Sequence, residues 1–237
     1  MPLRPHQIDA LDAMANHNKG QIIVPTGGGK TMCMIDDTER SGGTTVVVAP
    51  RILLAEQLSS EFLEQIDNVS VMHVHSGETP HYSSTKSDDI ADWVFLNRLF
   101  GKRSLIFTTY HSLHRVQESG IPVDTIYFDE AHNSVNRNFF PSTKFFGTGG
   151  ADRCFFFTAT PKHSLTPFKA GMNDREVYGD VLINVPAPKL VDEGYILPPK
   201  VEVYKSRLLR KDEIYSEVES EHMIGAIDRL EVDKVLI

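Results

Sequence analysis

Five short apolar runs punctuate the chain: Gln21–Val24, Thr45–Ala49, Ser104–Thr108, Thr125–Phe128 and Arg153–Thr158. Most are nearly continuous, as in TVVVA, SLIF, TIYF and CFFF, rather than alternating. A strand reads this way when both its faces are buried, which is the habit of parallel sheets. The stretches between the runs have a helical period. Arg51–Ile66 carries Ile52, Leu53, Ala55, Leu58, Phe62 and Ile66, and Asp89–Phe100 carries Ile90, Trp93, Val94, Leu96 and Leu99. Strands alternating with helices predict βαβ units and a three-layer α/β domain around a mostly parallel central sheet.

Two regions depart from this rhythm. Ser76–Asp88 is polar, with Gly77, Pro80 and a Ser-Ser-Thr-Lys-Ser run, and reads as a surface loop. Pro161–Asp180 reads as loop-rich. Beyond it the pattern predicts a short helix at Ala187–Glu193, a strand at Lys200–Tyr204, a helix over Asp212–Leu230 and the start of a strand at Val232–Ile237.

Composition narrows little. A chain of 237 residues with 41% hydrophobic content can bury a sizeable core as one large domain or two small ones. The net charge of −8 gives no hint of a nucleic-acid partner, although a local basic groove counts for more than the sum. Cys33 and Cys154 lie too far apart in sequence to suggest a disulfide framework, which points to a reducing, intracellular compartment. No apolar run approaches the ~20 residues of a membrane span, and Met1–Ala10 has no secretory core, so no membrane partner is expected.

Candidate chemistry enters where the first run ends. Gln21–Val24 leads into Pro25, Thr26, Gly27, Gly28, Gly29, Lys30 and Thr31, followed by a helix-compatible stretch. Strand, glycine loop and helix in that order are what a phosphate loop requires, because glycines let backbone N–H groups converge on phosphate oxygens. Lys30 would reach the terminal phosphates of ATP and Thr31 would ligate Mg²⁺. Val24 stands where the strict pattern has glycine. The run Thr125–Phe128 ends in Asp129-Glu130-Ala131-His132. Two adjacent carboxylates closing an apolar strand are costly unless they serve a site. Asp129 would hold Mg²⁺ and Glu130 would activate the attacking water.

With both pieces in order the chain resembles the superfamily-two helicases and translocases, in the style of the type III restriction subunit and DNA-repair branch. Leu3-Arg4-Pro5-His6-Gln7 is similar to the family's adenine-recognition segment, in which Gln7 would read the base. Ala49-Pro50-Arg51 with Leu54-Ala55-Glu56-Gln57, and Thr108-Thr109-Tyr110-His111-Ser112-Leu113, resemble segments that touch the nucleic-acid strand. This places Pro50, Arg51, Thr109 and Tyr110 at the strand. Thr158-Ala159-Thr160-Pro161 resembles the coupling motif, and the resemblance makes His132 the link between the hydrolytic site and Thr158 and Thr160.

The resemblance implies a RecA-like P-loop fold over residues 1–205, with 206–237 as a linker helix and the start of a second RecA-like domain. No Gln-x-x-Gly-Arg-x-x-Arg segment follows Thr160, so the arginine of that second domain is expected elsewhere. ATP and Mg²⁺ are the implied cofactors, and DNA is the implied partner in preference to RNA. A nucleotide-gated binding module without unwinding is the alternative. A P-loop kinase would not need the Ala-Pro-Arg, Thr-Thr-Tyr and Thr-Ala-Thr-Pro segments. His73 and His75 alternate on a strand and read as partly exposed, with no third metal ligand evident. Cys154, Phe139, Phe140, Phe145 and Phe146 read as core packing.

Overall fold

A computed structural model describes residues 2–166, 168–198, 220 and 224–225. Met1–Ile196 forms one compact unit and Leu197–Ile237 a second. The elements expected at Lys200–Tyr204, Asp212–Leu230 and Val232–Ile237 fall outside, or almost wholly outside, the described residues.

The strands are β1 (Lys19–Ile23), β2 (Thr44–Ala49), β3 (Val69–Val74), β4 (Tyr82–Ser83), β5 (Arg103–Thr109), β6 (Thr125–Phe128), β7 (Arg153–Thr158) and β8 (Val181–Asn184). The helices are α1 (Pro5–Ala15), α2 (Lys30–Ser41), α3 (Ile52–Leu63), α4 (Ser87–Leu99), α5 (Leu113–Glu118), α6 (Phe140–Phe145), α7 (Arg175–Tyr178) and α8 (Ala187–Asp192). Every strand pairing is parallel, in one eight-stranded sheet of order β4-β3-β5-β2-β6-β7-β1-β8. The expected α/β fold with a parallel sheet is the one found.

The register explains the continuous runs. Val46 pairs with Ile126 and Val48 with Phe128, and these continue to Cys154 and Phe156 on β7. That row builds the core on one face of the sheet, where Phe128 stacks on Phe156 at 4.8 Å. Val47, Tyr127, Phe155 and Phe157 build the core on the other face. Both rows are fully buried. Burying each aromatic stabilises the fold by ~2–3 kcal/mol.

One buried polar device joins the layers. Asp37 on α2 accepts two hydrogen bonds from the Arg153 guanidinium, at 2.8 and 2.9 Å, and one from the Tyr127 hydroxyl at 2.5 Å. Arg153 also donates to the Met14 carbonyl at the end of α1 at 3.1 Å.

Two elements lie where loops were expected: β4 inside Ser76–Asp88, as a two-residue edge strand on β3, and α7 inside Pro161–Asp180; β8 follows in a stretch for which no element was predicted. β8 is the opposite edge; its apolar run is only Val181-Leu182-Ile183, and its terminal positions Val181 and Asn184 are exposed. His73 and His75 are not the partly exposed residues expected; they are 0% and 3% exposed, because β3 is an inner strand covered by α3 and the following loop.

Candidate functional site at the carboxyl edge of the sheet

In a parallel sheet all strands end on one side, and ligands bind there. The order β6-β7-β1 sets the ends of three sequence-distant strands side by side.

The loop after β1 is held from within. Val24 is buried, and its N–H donates to the Thr158 carbonyl at 3.0 Å. The Gly28 N–H closes a turn onto the Pro25 carbonyl at 3.0 Å. A β-carbon on Gly28 would lie 2.5 Å from Val24 Cγ1, so Val24 occupies the space that a missing side chain leaves. Gly29 enters α2 at φ +86°, a conformation that favours glycine, and a side chain there would strike the Gln7 amide.

The start of α1 braces this loop from outside. Arg4 Nη1 donates to the Gly27 carbonyl at 3.0 Å, His6 Nε2 to Gly28 at 2.7 Å and Gln7 Nε2 to Gly29 at 3.1 Å. Gln7 Oε1 accepts from the Arg4 N–H at 2.7 Å. Gln7 is thus buried, and only one amide hydrogen and one lone pair remain for a ligand. Sequence reasoning missed Tyr195, whose ring lies 4.9 Å beneath the Arg4 guanidinium and edge-on to His6. Nothing local in the sequence marks it.

At the end of β6, the Asp129 N–H donates to Val48 at 2.9 Å, and its carbonyl accepts from the Tyr110 hydroxyl at 2.8 Å. Burial, with the Glu130 charge next, raises the Asp129 carboxyl to a pKa of about 6; Lys30 opposes the rise. Glu130 has φ +45°, strained for a residue with a side chain. That turn aims its carboxylate at two partners: Lys30 Nζ at 3.4 Å and His132 Nδ1 at 3.4 Å. His132 Nδ1 also lies 3.0 Å from Thr158 Oγ1, which accepts from the Thr160 N–H at 3.2 Å. Burial lowers the His132 pKa, with Glu130 opposing. Lys30, Glu130, His132, Thr158 and Thr160 therefore form one connected set.

A cavity of about 490 Å³ opens between the glycine loop and the two carboxylates. Thr26, Gly27, Gly29, Lys30, Thr31, Asp129 and Glu130 line it, with Gln57 and Glu61 of α3, of which sequence reasoning did not single out Glu61. Amides, one ammonium and a hydroxyl facing an acidic pair suit a polyphosphate with a hard cation, Thr31 and Asp129 being the oxygen donors.

Beside it lies a larger cleft of about 1160 Å³ bordered by His132, Arg137, Lys144, Lys162 and Lys169, with Asp174 the one acid on its wall. Further along the edge Arg51 is exposed and Pro50 partly so, whereas Thr109 and Tyr110 are only 4% and 3% exposed. Those two side chains have little surface with which to touch a strand, which corrects the expectation of direct contact; β5 is an inner strand, and the Tyr110 hydroxyl is engaged by Asp129.

The fold recurs in known proteins. A nuclease-deletion mutant of the type ISP restriction-modification enzyme LlaGI, solved with a DNA substrate mimic, superposes with a TM-score of 0.70 at 23% identity, over 81% of this chain and 18% of that one. The Pyrococcus furiosus Hef helicase domain gives a TM-score of 0.52 at 18% identity, over 75% of this chain and 37% of that one. A Halobacterium salinarum protein named for the DNA 3'-5' helicase Rad25 is 32% identical over 80 residues, 33% of this chain and 13% of that protein. The chain thus spans only a small part of these relatives. The profile of the family described as "Type III restriction enzyme, res subunit" matches residues 1–163. With more than half of its length matched, the chain belongs to that family.

Proposed function

We propose that this domain binds and hydrolyses MgATP as one half of a motor that moves along or unwinds DNA. The observation that carries the proposal is the connected set from Lys30 through Glu130 and His132 to Thr158, at the rim of a cavity shaped for a polyphosphate.

Each residue then has a task. The amides of Gly27–Lys30 and the Lys30 ammonium hold phosphate oxygens, with the N-terminus of α2 adding positive potential. Thr31 and Asp129 hold Mg²⁺, which when bound neutralises charge between the outer phosphates. Glu130 accepts a proton from the attacking water. Gln7, through its remaining amide groups, and Tyr195, through its ring, are placed for the adenine. His132 and Thr158 relay the state of the site to the segment ending at Pro161. A second RecA-like domain would supply the arginine that stabilises the transition state, worth ~10³-fold or more in comparable nucleotidases.

The basic cleft and Arg51 supply local positive charge that the net charge of −8 conceals. Contacts there would be to phosphate and sugar, tolerant of sequence and weakened by salt. The LlaGI neighbour, solved with a DNA mimic, favours DNA over RNA as the partner.

The test is ATP turnover by this domain joined to a second RecA-like domain, with and without duplex DNA or RNA, alongside nucleotide binding. DNA-stimulated turnover that disappears in Lys30→Ala and Glu130→Gln, with binding kept only by the latter, is expected. ATP-like affinity in Lys30→Ala would refute the phosphate assignment. Tight binding with no turnover under any condition would favour the nucleotide-gated module.

A further inference from the structure

We propose that Glu56, His73 and His75 form a binding site for one transition-metal cation of the zinc class, which fastens α3 to the end of β3.

The three side chains come from two elements that share no sequence motif. Glu56 lies one turn into α3, whereas His73 and His75 lie at and just beyond the C-terminal end of β3. Their ligand atoms meet in a near-equilateral triangle. His73 Nδ1 is 3.0 Å from Glu56 Oε1, His75 Nε2 is 3.1 Å from the same oxygen, and the two nitrogens are 3.0 Å apart. A zinc ion bound by two imidazoles and a carboxylate at ~2.0–2.2 Å would sit ~1 Å above such a triangle. Three protein ligands leave a fourth position for water.

The surroundings orient the ligands. The Thr79 hydroxyl donates to Glu56 Oε2 at 3.1 Å, leaving Oε1 for the triangle. His81 stacks flat on His73 at 5.0 Å and fixes its plane. Supporting groups of this kind usually set the direction and basicity of metal ligands.

In the absence of a cation, hydrogen bonds to Glu56 Oε1 can join the three facing atoms, and the buried atom left without a partner is His73 Nε2, which is not one of them. His75 Nδ1 accepts from the Gly77 N–H at 3.2 Å. A cation at the centre takes one lone pair from each of the three facing atoms. Binding through His75 Nε2 places that ring's proton on Nδ1, so the Gly77 amide turns away.

The experiment is Zn²⁺ uptake by the purified chain, after chelation and dialysis, in excess Mg²⁺ so that the nucleotide site is filled. Metal content is read by elemental analysis, and Co²⁺ is used as an optical probe. One equivalent should bind, with a visible Co²⁺ band of low-coordination intensity and a rise in melting temperature. Glu56→Gln and His75→Gln should each lose affinity by ~100-fold or more, and Thr79→Ala by ~10-fold, with unchanged far-ultraviolet circular dichroism. Asp129→Asn should keep the full signal. Absence of uptake, uptake unchanged in both ligand variants, or uptake lost in Asp129→Asn would each overturn the proposal. None of these readouts depends on ATP turnover.

Discussion

Asp129→Asn should make the nucleotide-free protein more stable at neutral pH, although it removes a residue proposed to hold Mg²⁺. Asp129 is partly buried next to Glu130, and these two effects raise its carboxyl from 3.8 to about 6. For an acid whose folded pKa is raised, the favourable form is the protonated one. Stability is fully present below the unfolded pKa and is lost as pH rises through the folded value. The window therefore runs from about pH 4 to about pH 6. Two pKa units at ~1.4 kcal/mol each make the full loss ~3 kcal/mol. Asparagine is close in shape and never ionises, so the variant escapes that loss. Urea unfolding of both proteins without nucleotide at pH 4.5 and pH 7.5 measures the difference. At the lower pH, already inside the window, the variant should be ahead by only ~1 kcal/mol. At the higher pH the variant should be ahead by ~2–3 kcal/mol, or several degrees in melting temperature at ~2–4 °C per kcal/mol. A gap that does not change with pH, or a variant less stable at pH 7.5, would refute the reasoning. The outcome bears on function because a site that pays stability for a buried charge recovers it when a cation arrives.

Other expectations follow from single contacts. Asp37→Asn weakens the carboxylate side of a buried bidentate pair and leaves the Arg153 charge under-compensated; unfolding free energy should fall by ~3 kcal/mol, measured in urea. Gly29→Ala meets both a φ of +86° and the Gln7 amide, so it should lose ~1–3 kcal/mol of stability and weaken nucleotide binding, read by calorimetry. Thr158→Val cuts the contact to His132 while keeping the side-chain shape; ATP affinity should hold within a few-fold while stimulation of turnover by DNA falls.

The sheet was legible because its inner strands are buried on both faces, which leaves long apolar runs with no alternation. Its edges were not: Tyr82–Ser83 is exposed and only two residues long, and Val181–Asn184 offers three apolar residues with both terminal positions exposed. The phosphate loop and the Asp129-Glu130 pair were legible because their chemistry is local: the glycines, lysine and carboxylates stand within a few residues of a strand end. What sequence could not supply was the third dimension. Tyr195 beneath Arg4, Glu61 in the cavity wall and Glu56 beside the two histidines belong to sites only because helices return to the sheet edge. The burial of His73, Thr109 and Tyr110 has the same cause. A strand residue's exposure depends on its place in the sheet order, and that order runs β3-β5-β2-β6 rather than along the chain.

The same order bears on how a nucleotide would be sensed. Neighbouring strands lie ~4.8 Å apart, so the ends of β1 and β6, with β7 between them, are ~10 Å apart. A lysine from one and a glutamate from the other can just meet across that gap, and Lys30 and Glu130 do so at 3.4 Å. On the proposed reading both groups have work directed at phosphate, yet here each occupies the other. A terminal phosphate that draws Lys30 toward itself releases Glu130, which is held in a strained turn by contacts to Lys30 and His132. Since His132 also rests on Thr158 of β7, any shift of Glu130 reaches the segment after that strand without a wider rearrangement. Lys30→Ala would then do more than remove a phosphate ligand. It would free Glu130 before nucleotide arrives, leaving the His132–Thr158 contact indifferent to whether the cavity is filled.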